Sequence, residues 1–445
     1  MSKREKMTFG SHRGILWTIG LAFVCSSCVT VRLNEEITSY RSTVEALEGK
    51  LVRNANDADA LRDLGVIYVQ TRLYPRAEGY LRKAVAIEPD DPKALFYLGL
   101  SCEFQHKRDT ALNIYVRYTN LSTPNPYRKL MEGRYGQLTR DAIREQFQAL
   151  IANENSLSDA VMSPSTVAVY PLVYQGTDAR YGALGKGLSE MMLIDLSQVK
   201  SIKLVERVRL EALLNELKFS QSRLVDPATA PRLGRLLKAG RMISGSYNIS
   251  RGSAIRLDVA VWDIADRRYP NGTSTSDSPE NLFKMEKHLV FAIIEKMGIT
   301  LTRQEQERIQ YVPTKNLQAF IAYSLGLEKE DEHDFKAAAG YFNQAAGLDP
   351  GFTRAQTKKN EMEALSYGGG STTEVYAMAQ TFDPPIRPDA ASGGSDLLIQ
   401  RLRTLNESLG SGFLPGIDSR KPVEDAHGSG APFGTLPEPP KPPNR

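Results

Sequence analysis

A 34-residue period constrains this 445-residue chain more than any other feature. Residues 58–91 place Leu61, Leu64, Gly65, Tyr68, Ala77, Leu81, Ala84 and Pro89 at positions 4, 7, 8, 11, 20, 24, 27 and 32 of the period. Residues 92–125 return Leu95, Leu98, Gly99, Cys102, Ala111 and Tyr115 at the matching positions, with Pro124 one place late. A third copy over 319–352 carries Ala322, Leu325, Gly326, Ala338, Phe342, Ala345 and Pro350. Apolar residues three and four apart predict two helices per period, and the small residues at positions 8 and 20 let those helices approach closely. The proline, which supplies no N–H, ends the second helix. One such hairpin cannot bury its face alone, so the distant third copy must rest on another part of the chain, with 353–365 as a capping helix. Ile37, Tyr40, Val44, Leu47 and Leu51 predict a helix before the repeats, and Leu130, Leu138, Ile143, Phe147, Leu150 and Ile151 a long one after them.

The pattern resembles the tetratricopeptide repeat, a resemblance that implies a concave groove for a peptide or protein. Asp59, Arg62, Val66 and Gln70 of the first copy, and Lys93, Phe96, Glu103 and Phe104 of the second, are expected to face it. A purely structural scaffold fits the same pattern. Cys102, at a core position, reads as a small buried hydrophobe.

Lys3, Arg4, Lys6 and Arg13 precede an apolar run over 14–24 that is too short to span a bilayer comfortably, and Cys25-Ser-Ser-Cys28 follows. Small residues before a cysteine resemble a bacterial lipobox, with Cys25 standing where an aliphatic residue is usual. The resemblance implies cleavage before Cys28 and diacylglycerol on its sulfur. Val29, in the place where aspartate would retain such a protein at the inner membrane, implies the outer membrane, facing the periplasm. The whole chain carries 56 basic and 52 acidic side chains, a formal charge of +4; without residues 1–27 that charge falls to about +1, which argues against nucleic acid as a partner. After such processing Cys102 would be the remaining free thiol, leaving no intrachain disulfide to form.

The central region alternates strands and helices. Thr166–Val173 and Ile202–Glu206 read as strands, Gly185–Val199 and Arg207–Lys218 as amphipathic helices, and Asp226-Pro227 as the start of a helix running to Lys238. Met242–Ile249 and Ile255–Ile264 read as strands joined by a tight Ser-Arg-Gly-Ser turn, followed by a weaker strand near 268–275 and a helix over Pro279–Met297. The segments "ALGKGLSEMMLIDLSQ", "IKLVERVRLEALLNE", "RLVDPATAPRLGRLLKAGRMISGSY" and "LDVAVWDIADRRY" resemble the curli production assembly/transport (CsgG) family and its TolB-N-like relatives. That resemblance implies an outer-membrane lipoprotein with a periplasmic α/β domain, whose best-known member oligomerises into a secretion channel. A channel of that type needs two membrane hairpins per subunit, each of roughly 20 residues with alternating polarity. Neither the link between Tyr247 and Ile255 nor the polar stretch 263–279 provides one, so no pore is expected from this chain alone.

Catalytic chemistry finds little support. Gly182-Ala-Leu-Gly185-Lys186-Gly187 lacks the spacing of a phosphate loop and reads as a glycine-loosened helix start. The histidines are dispersed, so neither a metal site nor a cofactor is expected, and His288 reads as surface. Glu206 with Arg207 read as a structural charge pair and Asp226 as a cap. From residue 367 glycine, serine and proline dominate, which reads as a disordered tail interrupted by a short helix at Leu397, Leu398, Leu402 and Leu405.

The sequence therefore describes a multidomain chain: a signal over 1–27, a linker and amphipathic helix over 28–57, tetratricopeptide-like helices over 58–152, a CsgG-like α/β domain over 165–310, a further hairpin and cap over 316–366, and a tail over 367–445. It reads as no enzyme but as a lipid-anchored scaffold, with envelope or secretion proteins as partners and possible self-association. A curli-type channel subunit and a lipoprotein activator of peptidoglycan synthases stand as alternatives. The second is disfavoured because activators of that class carry their tether before the domain.

Overall fold

The structure, a computed structural model, describes residues 38–122, 124–154, 162–218, 230–249, 254–264 and 268–387. The signal segment with Cys28, the Asp226-Pro227 start, the Ser-Arg-Gly-Ser turn and the leucines at 397–405 lie outside these residues.

Among the described residues, six α-helices come first: α1 (Arg41–Arg53), α2 (Ala58–Gln70), α3 (Tyr74–Ile87), α4 (Pro92–Glu103), α5 (Arg108–Tyr115) and α6 (Pro126–Ala152). Local sequence sets where three of them begin. Asp57, Asp91 and Asn125 each accept a hydrogen bond from first-turn N–H groups, and Pro92 and Pro126 follow immediately, where a missing N–H costs nothing. The recurrent glycines mark where paired helices touch. A Cβ on Gly65 would lie 2.4 Å from Leu81, one on Gly99 2.4 Å from Tyr115, and one on Gly326 2.7 Å from Phe342. In all three hairpins the facing residue stands sixteen positions further along, so the same contact recurs in each.

The sheet follows. Strands β1 (Ser163–Val169), β2 (Val173–Tyr174), β3 (Lys203–Leu204), β4 (Ala239–Ile249), β5 (Ile255–Asp263) and β6 (Arg268–Asp277) run in the order β3-β1-β4-β5-β6, with β2 beside β4. The first half is parallel and the second antiparallel. Helices α7 (Leu184–Leu196) and α10 (Leu282–Lys296) cover one face through Leu188, Met192, Leu289 and Ile293, packed on Val167, Ile243 and Leu257. The other face is covered by α8 (Arg207–Leu217), α9 (Ala230–Leu237) and the end of α6, which contributes Ile143 and Phe147. The strand and helix expectations hold here to within a few residues, because period-2 and period-3.6 patterns are both clean in this segment.

Helix α6 is the shared beam. Its first half, with Leu130 and Met131, lies in the core of the N-terminal helices, and its last turns, with Ile143 and Phe147, lie under the sheet, roughly 20–25 Å further along the axis. After a short α11 (Arg303–Ile309) come α12 (Leu317–Asp331), α13 (Phe335–Leu348) and α14 (Thr353–Gly368). This is the third hairpin with its cap, and it closes onto both units. Gly187 of α7 allows the approach of α12: a Cβ there would sit 2.1 Å from Ser324 Oγ. Gly133 of α6 does the same for α14, since its Cβ would fall 1.9 Å from the Ala364 carbonyl oxygen.

One expectation needs correction. The stretch read as a tail from residue 367 begins instead with the end of α14 and a further helix, α15 (Thr372–Phe382), whose Val375 and Ala379 are fully buried in the N-terminal core. A capping box starts it: Ser371 Oγ accepts from Glu374 N–H, and the Glu374 carboxylate accepts from Ser371 N–H. That four-residue signal outweighs the glycines before it.

Candidate functional site

Helix α15 lies against α4 and α6, on the side of the N-terminal helices where the groove is expected. Its C-terminal end is held by polar groups that the caps bring forward. Lys93 and Tyr127 are the second residues of α4 and α6, one 34-residue period apart, and both reach Asp383, the residue just past α15. The Lys93 ammonium lies 3.0 Å from one carboxylate oxygen. Tyr97 donates to the other oxygen at 3.4 Å, and Tyr127 donates to it more closely. Burial, with Asp383 beside each phenol, pushes Tyr97 and Tyr127 well above the ordinary tyrosine range, so both stay protonated donors at neutral pH.

Between the ends the contact is apolar and aromatic. Tyr376 meets Tyr97 edge-on at 6.5 Å, and Phe382 meets Tyr127 edge-on at 5.3 Å. At the N-terminal end, Arg134 of α6 donates to the Gly370 carbonyl at 2.5 Å and makes an ion pair with Glu103. Thr372 Oγ1 donates to that same Glu103 at 3.1 Å, and Tyr115 donates to it at 2.7 Å. The helix is thus gripped at both ends and packed along its middle.

The residues expected to line the groove meet different fates. Val66 and Phe96 are sealed in the core, Phe96 against the Tyr97 and Tyr127 rings, and neither offers free surface. Glu103 is buried and committed to Arg134. Arg62 is shared among Asp59, Asp63 and Asp91 at 2.6, 3.1 and 3.2 Å. Phe104 stacks on Tyr74 with centroids 4.5 Å apart. The Gln70 amide is enclosed with no hydrogen-bond partner. Lys93 pairs with Asp383 just past the seated helix, and Glu103 also accepts from Thr372 at its start. Tyr97, Tyr127, Arg134 and α15 itself were not anticipated, although Tyr127 repeats the register of Lys93 and Ser371-Thr-Thr-Glu374 spells a helix start.

A second polar cluster lies where α6, α7, α8, α12 and α14 meet. Glu330 is fully buried and pairs with Arg140 at 2.8 Å, with Lys358 at 3.1 Å, and with Arg207. Asp331 pairs with Arg207 and, at 2.5 Å, with Lys186. Glu190 accepts from Arg354 at 2.8 Å and lies 3.6 Å from Arg207. Burial alone would raise Glu330, but Arg207, Lys358 and Arg140 outweigh it and hold that carboxyl well below the usual range. Glu211 behaves oppositely. Burial, with Asp331 beside it, pushes it up to about 7 against the pull of Lys186 and Arg207. It borders a cavity of about 220 Å³ shared with Arg144, Asn215 and His333. Arg207 therefore does not form the expected pair with Glu206, which instead precedes α8 as a cap residue without a side-chain hydrogen bond. Lys186, from the glycine-rich helix start, holds a carboxylate rather than a phosphate.

Another charge pair is buried between α7 and α10. Lys287 lies 2.5 Å from Asp195, with Glu286 beside them, while the neighbouring His288 is exposed. Cys102 is buried, and burial raises its thiol. Among the described residues, no group of His, Cys, Asp or Glu side chains is arranged to hold a metal ion, and no helix is long and apolar enough to cross a membrane.

No curated protein matches this chain significantly. Among solved structures, the LpoB C-terminal domain from Salmonella enterica aligns at 15% identity over 31% of this chain and 98% of that one, with a TM-score of 0.23. Lipoprotein GNA1162 from Neisseria meningitidis aligns at 13% identity over 31% of this chain and all of that one, with a TM-score of 0.24. The family model of the curli production assembly/transport component CsgG matches residues 162–249, which hold β1 to β4 with α7, α8 and α9. The sheet and helices of that segment are thus the part of the chain that matches the CsgG family.

Proposed function

We propose that this chain is an envelope lipoprotein, carried by lipid on Cys28 at the periplasmic face of the outer membrane, that recruits envelope or secretion proteins. Its N-terminal helices act as tetratricopeptide-type repeats, and its CsgG-family domain provides the assembly surface to which they are fixed. The observation that carries this reading is the CsgG-family segment locked, through α6 and the Glu330 cluster, to a helical array that already holds a peptide-like helix. The Gly65, Gly99 and Gly326 contacts, alike in all three hairpins, support the repeat assignment. A scaffold suits the links between strands better than a channel does. Residues 250–254 join β4 to β5 and 264–267 join β5 to β6, far short of the roughly 20 residues that a membrane hairpin takes.

The test is crosslinking in cells that express a tagged chain, followed by identification of what copurifies. Envelope or secretion proteins should be recovered from the native chain and be reduced with Cys28→Ala, which should also leave the membrane fraction. Recovery of neither class contradicts the recruiting role. Membrane retention of the Cys28→Ala chain contradicts the lipid anchor.

A further inference from the structure

We infer that α15 is an intramolecular stand-in for the partner: the face of α4 and α6 binds a short helix that carries an aromatic residue and then a carboxylate at its C-terminal end, and residues 372–383 occupy that face until such a helix displaces them. The inference rests on the recruiting role proposed above and specifies what is recruited.

Three features of the contact support it. First, the seated segment is a self-contained ligand. It has its own capping box at Ser371 and Glu374, and only Gly369 and Gly370 separate that box from the end of α14. Second, the charge is complementary and one-sided. One carboxylate, Asp383, meets one ammonium and two phenols, all supplied by α4 and α6. The side chains of Lys93 and Asp383 keep 23% and 20% of their exposure, so water reaches the pair and can compete for it. Third, the reading positions follow the repeat. Lys93 and Tyr127 are the second residues of helices one period apart, so the pair belongs to the array's own register and not to an incidental contact. Val375 and Ala379, four residues apart on one side of α15, supply the apolar contact that any replacement must also offer.

The test uses the full chain and a fluorescein-labelled peptide of residues 369–387, read by fluorescence anisotropy. The native chain should bind the peptide weakly, because its own helix competes. The double variant Val375→Glu/Phe382→Ala, which unseats α15, should bind it at least tenfold more tightly. Adding Lys93→Glu to that variant should weaken binding at least tenfold, and a peptide with Asp383→Lys should recover most of the loss. Equal binding by native and double-variant chains, or indifference to Lys93→Glu, overturns the inference. So does loss of the N-terminal helices in the double variant, seen by circular dichroism, because α15 would then be a fixed part of the core. If the peptide behaves as expected but crosslinking recovers no envelope protein, the recruiting role fails while the binding face stands.

Discussion

Glu330 and Asp383 both tie a C-terminal segment to the rest of the molecule, yet their surroundings differ. Glu330 has no exposure and is met by Arg140, Arg207 and Lys358 from three different helices. Asp383 retains a fifth of its exposure and is met by one ammonium and two hydroxyls. A buried charge deprived of its partner cannot recover by hydration, whereas a partly exposed one can. The Glu330 cluster therefore behaves as a permanent weld between the helical array, the CsgG-family domain and the third hairpin. The Asp383 contact behaves as a latch.

Four substitutions probe that contrast, from the largest effect to the smallest. Arg207→Ala leaves Glu330, Asp331 and Glu190 short of a cation and is expected to cost about 3–5 kcal/mol, measured as a lowered urea midpoint. Gly133→Leu forces a side chain into the Ala364 carbonyl; separation of α6 from α14 should cost about 1–3 kcal/mol in the same assay.

Glu211 gives the weld a pH dependence. The folded chain holds this proton up to about pH 7, whereas the unfolded chain releases it near 4.5. Folding therefore binds a proton in that window, and the Glu211 contribution to stability is lost as pH rises from about 4.5 through 7. Urea midpoints for Glu211→Gln should lack that decline, and the gap between native and variant should widen in the variant's favour toward pH 8. Asp383→Asn, the mildest change, should cost about 1 kcal/mol or less, confined to faster amide exchange in α15 with the overall melting temperature unchanged.

Much of this was legible in the sequence. The CsgG-family strands and helices follow clean apolar periods, and the hairpins follow from glycines that must face Leu81, Tyr115 and Phe342. Long-range pairing of charges was not. Nothing adjacent to Arg207 announces that its partners lie more than a hundred residues away at Glu330 and Asp331. Lys287 looks like a surface residue beside His288 until α7 presents Asp195 to it. Val66 and Phe96, expected to line a groove, instead turn into the N-terminal core, because a helix face that looks polar-lined by spacing alone is closed by the neighbouring helices. Helix α15 was hidden by the glycines that precede it. Composition over a long window read them as a tail, while the local Ser371–Glu374 signal set a helix.

Native-state hydrogen exchange tests the weld-and-latch distinction most directly. Amides of α15, from Val375 to Phe382, should exchange through a local opening at a free energy several kcal/mol below that of α12 around Glu330, and the gap should grow with Asp383→Asn. Exchange of α15 and α12 at one common free energy, unmoved by that substitution, would contradict it.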